Sequence, residues 1–113
     1  MKKIEAIVKP HVFEIVKDAL VELGIDGMTV SEVSDSGPSP AGTLVFRGAR
    51  QRSSLNPRLK LEIVVYSDRL AGIVIRTIEE TARTGRDNDG MIYVSEVLEA
   101  IRIRTGDWGE AAL

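Results

Sequence analysis

Apolar and polar positions change their period within the first twenty-five residues. The apolar residues of Lys2–Val8 predict a β-strand that ends at Lys9 and Pro10. Apolar residues then recur at helical spacing, and Gly24 stands where a helix commonly ends. The helical positions are Val12, Ile15, Val16, Ala19, Leu20 and Leu23. The chain is therefore predicted to begin with a strand followed by a helix.

The same periods recur further along the chain. Residues 28–33 are rich in β-branched side chains and residues 59–66 are mostly apolar, so both predict strands. Ser67 and Asp68 open a second predicted helix, residues 91–97 predict a fourth strand, and residues 100–104 a short additional one. The apolar face of the second helix is expected to carry Leu70, Ile73, Val74, Thr77, Ile78 and Thr81.

A short internal sequence repeat supports two related halves of the chain. Residues 26–33 (DGMTVSEV) resemble residues 89–97 (DGMIYVSEV), with one extra residue in the second copy. Each copy follows a predicted helix and a glycine-containing turn. Two split βαβ halves predict an α+β, ferredoxin-like βαββαβ sandwich with a long loop between its second and third strands.

Two helices cover only one face of such a sheet. We expect the other face to carry Ile, Val and Leu side chains, and an exposed patch of that kind favours a partner surface. A cyclic homo-oligomer is the simplest arrangement that covers it, and it creates clefts between subunits in which a ligand can bind.

The longest interruption of the pattern is residues 34–58, which show little apolar periodicity. A loop of this length in a compact domain is usually functional or disordered. Arg47, Arg50 and Arg52 give its middle a positive charge. Turn-forming residues are spread over the segment, namely Gly37, Pro38, Pro40, Gly42, Gly48 and Pro57.

Composition narrows the function classes. The 113 residues fit one domain, and 43% are apolar, as expected of a globular protein. The net charge of -2 without a basic stripe disfavours nucleic-acid binding. No cysteine and a single histidine, His11, disfavour metal centres and nucleophilic catalysis. No signal peptide or membrane-spanning run is apparent, so the cytoplasm is the expected compartment.

Two segments predict phosphate binding. One, named here the phosphate loop, consists of Thr84, Gly85, Arg86, Asp87, Asn88, Asp89 and Gly90. Its glycines and asparagine permit the backbone conformations in which N–H groups converge on an anion. In the other segment, Arg102 and Arg104 would point to one side if the chain there is extended. A plain helix-to-strand turn remains the alternative for the loop alone.

The order and spacing of these segments resemble the PII signal-transduction proteins nearly end to end. The shared motifs are MKKIEAIVKP at 1–10, GIDGMTV at 24–30, FRGA at 46–49, LEIVV at 61–65, ARTG at 82–85, DG at 89–90 and IRIRTG at 101–106. The resemblance implies one domain over residues 1–113, with a flexible T-loop at about 36–58 and a C-terminal segment at 100–113.

The resemblance also implies a function in signal transduction and nitrogen regulation. PII proteins are ferredoxin-like homotrimers that bind adenine nucleotides in clefts between subunits. Their long loop responds to the nucleotide, often with 2-oxoglutarate, and docks on transporters, enzymes or regulators. The implied member is not an enzyme and requires no cofactor; ADP, AMP or ATP is its effector, and it meets a membrane only through a transporter partner.

By position, the resemblance assigns two groups of residues. The nucleotide would contact Ile7, Thr29, Gly37, Glu62, Val64, Gly85, Arg86, Asn88, Asp89, Gly90, Met91, Arg102 and Arg104. The partner-binding loop would present Arg47, Arg50, Gln51, Arg52 and Arg58. No catalytic or metal-binding residue is implied.

Several positions depart from the family pattern. Met91 replaces the lysine that normally ends the phosphate loop, and Asp87 adds negative charge there, so affinity for a triphosphate should fall most. Pro38 and Ser39 stand where the family has arginine and glutamine, and Arg58 replaces a lysine, which predicts weak or absent 2-oxoglutarate binding. Gln51 replaces the uridylylated tyrosine of many bacterial members, which excludes that modification there.

Three alternatives to a nitrogen regulator stay open. Divergent relatives sense ADP, AMP, cyclic AMP or bicarbonate and serve carbon uptake or other transport. A slow nucleotide hydrolase is a second possibility, although no general base or magnesium pair accompanies the loop. A structural or metal-handling trimer of the related CutA type is a third, disfavoured by the absence of cysteine and of histidine clusters.

Overall fold

The computed structural model describes residues 1–25, 27–36, 45–46, 49–50 and 55–113. Single turns of 3-10 helix lie at Pro10–Val12 and Gly109–Ala112. The main elements in chain order are β1 (Lys2–Val8), α1 (Phe13–Glu22), β2 (Thr29–Ser36), β3 (Val45–Phe46), β4 (Ala49–Arg50), β5 (Leu55–Val65), α2 (Asp68–Ala82) and β6 (Gly90–Glu96).

Four strands form one antiparallel sheet in the order β2-β5-β1-β6. The central strand β1 places Ile4 opposite Ile63 of β5 and Val94 of β6. With one helix after β1 and one after β5, this is the ferredoxin-like α+β arrangement. The predicted fold class is confirmed.

The core lies between the sheet and the two helices. Alternate residues of the central strands are fully buried on this side, because successive side chains of a strand point to opposite faces. The main members of this core are Ile4, Ala6, Val8, Leu61, Ile63 and Val65 from the sheet, with Val16, Leu20, Val74 and Ile78 from the helices.

The helix ends follow the predicted signals. Gly24 closes α1 with φ +88°, a conformation that glycine adopts without strain. At the start of α2, the Ser67 hydroxyl accepts a hydrogen bond of 3.1 Å from the N–H of Leu70. This cap satisfies one of the backbone donors that a helix N-terminus leaves without an intrahelical partner.

The predicted helix faces are only partly right. In α2 the buried stripe is Ala71, Val74, Ile78 and Ala82, whereas Ile73 is exposed. Thr77 and Thr81 were expected on the apolar face, but their hydroxyls bond to helix carbonyls one turn earlier. Ile15 of α1 and Leu23, directly after its end, are also exposed. The small alanines allow a close approach to the sheet, so the contact stripe shifts toward them.

The open face of the sheet corrects a second expectation. It carries Ile and Val as expected, but also the ion pairs Lys3–Glu5 at 2.9 Å and Lys60–Glu62 at 3.5 Å. These residues occupy the strand positions that alternate with the buried ones. Apolar side chains there are limited to a few residues around the charges, including Ile7, Val64, Met91 and Tyr93.

Several elements differ from the predictions. Strand β2 extends to Ser36 and β5 begins at Leu55, so both continue into the segment expected to be loop. Within that segment, β3 and β4 pair with each other. Residues 100–104 do not form a strand; a single antiparallel bridge joins Ile101 to Trp108. In the described ranges, neither helix combines the length and the apolar composition needed to cross a bilayer.

Candidate functional site

The phosphate loop joins the end of α2 to the start of β6, and three of its residues have positive φ. The values are +82° for Gly85, +62° for Asn88 and +124° for Gly90. Asn88 is the only non-glycine residue with positive φ in the described part of the chain. Asparagine tolerates this conformation better than most residues, as the sequence suggested.

Asp89 holds the loop together. Its Oδ2 accepts hydrogen bonds from the N–H groups of Thr84 at 2.8 Å and Gly85 at 3.1 Å. Its Oδ1 accepts from the Thr84 hydroxyl and, at 3.2 Å, from Lys9 Nζ. The Thr84 hydroxyl, the Thr84 N–H and the remaining donors keep the pKa of the Asp89 carboxyl well below its usual range, against the opposing effect of desolvation. The carboxylate thus acts as the internal anion of the loop.

Gly90 places the end of the loop against β1. It pairs with Val8 in the sheet, and a Cβ at this position would lie 2.0 Å from the carbonyl oxygen of Ile7. Only glycine fits so close an approach, and its φ of +124° independently favours glycine. The first residue of β6 is therefore fixed relative to Ile7.

Two cations from other elements also contact the loop. Lys9 Nζ donates to the carbonyl oxygen of Asp87 at 3.0 Å, and Arg58 Nη2 donates to that of Asn88 at 3.3 Å. Arg58 Nε lies 3.4 Å from Asp35 Oδ2. The sequence analysis did not assign Lys9 to the site, although its position directly after β1, beside Pro10, marks where the chain leaves the sheet.

The strand residues predicted to contact the nucleotide share the open face of the sheet. Glu62 pairs with Thr29 of β2 on one side and with Glu5 of β1 on the other. Val64 follows two residues along β5, on the same face as Glu62, and Ile7 pairs with Met91. The structure thus brings these strand residues to one surface, while Gly37 lies outside the described residues.

Met91 lies at the junction of this surface and the loop. It follows Gly90 directly and its side chain is 57% exposed. An open pocket of about 360 Å³ reaches this point from the end of α2. It is lined by Ile7, Val8, Ile78, Glu79, Ala82, Arg83, Asp89, Gly90, Met91 and Ile92. An apolar thioether therefore directly follows the phosphate loop and lines this pocket.

Arg102 and Arg104 lie after β6, in a loop and not in a strand. They belong to residues 101–108, named here the arginine loop, in which the Arg102 N–H donates to Asp107 and the Gly106 N–H donates back to Arg102. Residues 103–105 form a turn, so the expected extended segment is wrong. The seven residues of β6 lead away from Gly90 and span about 20 Å at the usual rise of a strand.

The predicted partner-binding residues are placed only in part. Arg47, Gln51 and Arg52 lie outside the described residues, and Arg50 lies in β4. Arg58 is placed in β5 rather than in a loop, and its side chain is 10% exposed. Within the described ranges, no three histidine, aspartate or glutamate side chains lie close enough to share a metal ion.

Comparison with known proteins finds one family over nearly the whole chain. The family model described as "Nitrogen regulatory protein P-II" matches residues 1–107. The chain belongs to the P-II family. It is 45% identical over 113 residues to "Nitrogen regulatory protein P-II" of Klebsiella oxytoca and to "Nitrogen regulatory protein P-II 1" of Escherichia coli (strain K12). A P-II protein of Rhizobium meliloti is 46% identical, and in all three cases both chains are covered completely.

Membership confirms the resemblance that the motifs indicated. P-II proteins are regulatory proteins of nitrogen metabolism and not enzymes, which removes the nucleotide hydrolase from the alternatives. As a family they are trimers that bind adenine nucleotides as effectors and interact with target proteins.

Proposed function

We propose that this chain forms a cytoplasmic homotrimer that binds an adenine nucleotide in the clefts between its subunits. ADP or AMP is the preferred effector, and ATP binds more weakly. The bound nucleotide sets the shape of the segment between β2 and β5, through which the trimer controls a transporter, an enzyme or a regulator. The observation that carries this proposal is the phosphate loop braced by Asp89 and followed by Met91.

The separation of the two phosphate-binding segments supports a site between subunits. Within a single chain, β6 and residues 97–100 separate the arginine loop from the phosphate loop. The side chains around those arginines are apolar and exposed: Leu98 by 93% and Ile103 by 98%, with Ile101 and Trp108 also exposed. Exposed apolar residues beside cationic ones are expected to be buried in an assembly. A neighbouring subunit would then supply Arg102 and Arg104 to the loop.

Charge at the loop supports the preference for fewer phosphates. Arg86 is the only cation among the seven residues of the loop, and Asp87 is an acid beside it. Lys9 and Arg58 also contact the loop, but each is already paired with an acid, Asp89 and Asp35 respectively. Because Met91 brings no ammonium, a terminal phosphate would meet no further cation from this chain where the loop meets β6. The affinity gained from a third phosphate is therefore expected to be small.

The surroundings of Arg58 support weak or absent binding of 2-oxoglutarate. Its guanidinium is already shared between Asp35 and the carbonyl oxygen of Asn88. A dicarboxylate would have to compete with both contacts. Calorimetry with ATP and magnesium present is expected to show no micromolar binding of 2-oxoglutarate, and such binding would contradict this part of the proposal.

Mixing two defective variants tests the location of the site. We expect Asp89→Asn, which weakens the loop, and the double variant Arg102→Ala with Arg104→Ala each to bind ADP poorly. Trimers refolded from both contain a cleft that pairs an intact loop with intact arginines from a neighbour, so ADP binding should return in part. If the mixture stays as defective as its parents while the wild type binds ADP, the arginines do not come from a neighbouring subunit.

A calorimetric panel tests the ligand itself. ATP, ADP, AMP and cyclic AMP would be titrated separately, each with and without bicarbonate. Binding of ADP or AMP more tightly than ATP is the expected result. If ATP binds more tightly than ADP, the proposed preference is wrong, and if no adenine nucleotide binds, the sensor proposal fails.

A further inference from the structure

Two successive carbonyl oxygens of the phosphate loop are held by cations from different parts of the fold. Lys9, directly after β1, donates to the Asp87 oxygen at 3.0 Å. Arg58, in β5, donates to the Asn88 oxygen at 3.3 Å. Both peptide groups lie in the middle of the loop, where the backbone changes direction at Asn88.

These cations are themselves fixed in place. The Lys9 side chain is 15% exposed and its ammonium also contacts Asp89 Oδ1 at 3.2 Å. The Arg58 guanidinium pairs with Asp35 of β2, and its Nη1 donates to the carbonyl oxygen of Pro57 at 3.4 Å. Surface lysines and arginines usually sample many rotamers, whereas these two have lost most of that freedom. They can therefore hold a loop conformation in advance of a ligand.

Peptide geometry converts these contacts into a direction for the N–H groups. The carbonyl and the N–H of one trans peptide point in opposite directions, and the described part of the chain contains no cis peptide. When Lys9 holds the Asp87 oxygen, the Asn88 N–H is turned away from Lys9. When Arg58 holds the Asn88 oxygen, the Asp89 N–H is likewise turned away from Arg58. Consecutive N–H groups around a residue of positive φ form the concave arrangement that binds anions.

We propose that Lys9 and Arg58 are positioning residues of the nucleotide site. They clamp the peptide groups after Asp87 and Asn88, so that the N–H groups of Asn88 and Asp89 face the phosphates without either cation touching the ligand. This inference rests on the proposed function, because it takes the anion to be a phosphate of the bound nucleotide. It also gives Arg58 a task different from docking a partner protein.

The test uses full-length variants that remove or retain the charge. Lys9→Met and Arg58→Met remove each cation, and Arg58→Lys keeps a charge but cannot span both Asp35 and the Asn88 oxygen. Lys17→Met is the matched control, since Lys17 pairs with Glu14 on α1 and has no contact with the loop among the described interactions. Calorimetry would compare ADP with adenosine, which lacks phosphates. The amide NMR signals of Asn88 and Asp89 would be recorded without ligand.

Each of the three site variants is expected to bind ADP about tenfold more weakly and adenosine within about twofold of the wild type, as loss of one charge-assisted contact predicts. Their Asn88 and Asp89 amide signals should shift in the ligand-free protein, whereas those of Lys17→Met should not. Equal losses for ADP and adenosine, or wild-type ADP binding by Arg58→Lys, would overturn the proposal.

The outcome also separates this inference from the function on which it rests. If the wild type binds neither ADP nor AMP, the proposed function is wrong. The ligand-free spectra still report whether the cations orient the loop: shifted Asn88 and Asp89 amides would support the clamp as a structural device, and unshifted ones would refute it.

Discussion

The two loops that the sequence predicts to bind phosphate differ in what completes them. The phosphate loop is tied down by its own chain: Asp89 receives hydrogen bonds from three donor groups on Thr84 and Gly85, and Gly90 lies against β1. The arginine loop is closed by bonds among its own residues, and its apolar side chains face solvent.

This difference assigns the two loops separate tasks. A loop that is already ordered before the ligand binds loses little conformational entropy on binding, so it can present a fixed shape and N–H donors. A loop with exposed apolar residues depends on a second surface, which in a trimer is a neighbour. Under the proposed function, nucleotide binding is coupled to assembly through Arg102 and Arg104, without any further device.

The largest loss of stability is expected when the fixed end of the phosphate loop is disturbed, and this tests the difference between the two loops most directly. Gly90→Ala would place a methyl group 2.0 Å from the Ile7 oxygen, and we expect the free energy of unfolding to fall by about 3 kcal/mol or more. Gly106→Ala in the arginine loop is the control. Its φ is +74° but an added Cβ meets no atom within 4 Å, so a loss of about 1 kcal/mol is expected.

Urea unfolding at one fixed protein concentration measures both variants, since the stability of an oligomer depends on concentration. Equal losses for Gly90→Ala and Gly106→Ala would show that the contact with β1 adds nothing beyond backbone strain. The structural difference between the phosphate loop and the arginine loop would then be unsupported.

The next largest effect is expected at the arginines. Arg102→Ala and Arg104→Ala each remove charge-assisted hydrogen bonds worth about 1.5–3 kcal/mol, so ADP should bind roughly 10–100-fold more weakly. Because both side chains are exposed, the free energy of unfolding of the chain itself should change by less than about 0.5 kcal/mol. Calorimetry and urea unfolding give the two quantities, and a large loss of stability without loss of ADP binding would reverse the interpretation.

The phosphate loop could be located from sequence because its requirements are local. Positive φ at Gly85, Asn88 and Gly90 follows from residue type, and the strand and helix on either side follow from apolar periodicity. The role of Asp89 in ordering the loop could not be predicted from local sequence. Its donors are contributed by Thr84, five residues earlier, and by Lys9, eighty residues earlier, and only the folded sheet brings Lys9 to it.

For the arginine loop, in contrast, the local sequence pattern predicted the wrong structure. The alternation of Ile101, Arg102, Ile103 and Arg104 is typical of a strand, yet in the described part of the chain these residues pair with no strand of the sheet, and Ile101 forms an isolated bridge with Trp108. The open face of the sheet was predicted only in part. The two-layer arrangement predicted Ile, Val and Leu there, but the alternate positions of β1 and β5 also pair lysine with glutamate.

A smaller effect tests the junction between the phosphate loop and the open face. Met91→Lys adds an ammonium beside Gly90, and we expect ATP to bind about fivefold more tightly, close to 1 kcal/mol, with a smaller gain for ADP. Ile73→Lys on the exposed side of α2 adds the same charge away from the loop and should change neither affinity. Equal gains for ATP and ADP would show a general charge effect in place of recognition of the terminal phosphate.

The last effect, which is the smallest at neutral pH, is the contribution of the Asp89 charge to stability. Its pKa is lowered on folding, so the stability that its charge contributes is complete above the unfolded value of about 3.9 and is lost as the pH falls below that value. Thr84→Val removes the hydroxyl that contributes most to the lowered pKa. Its stability should therefore fall less steeply than that of the wild type below about pH 4.

Urea midpoints from pH 7 down through the acid limb, with an NMR titration of the Asp89 carboxyl, measure this difference. An Asp89 titration midpoint below the usual range in the wild type and nearer to it in Thr84→Val is the expected pair of results. A wild-type midpoint at the ordinary value would mean that the contacts from Thr84, Gly85 and Lys9 do not hold the carboxylate in solution. The phosphate loop would then be no better ordered in advance than the arginine loop, and the nucleotide would have to order both.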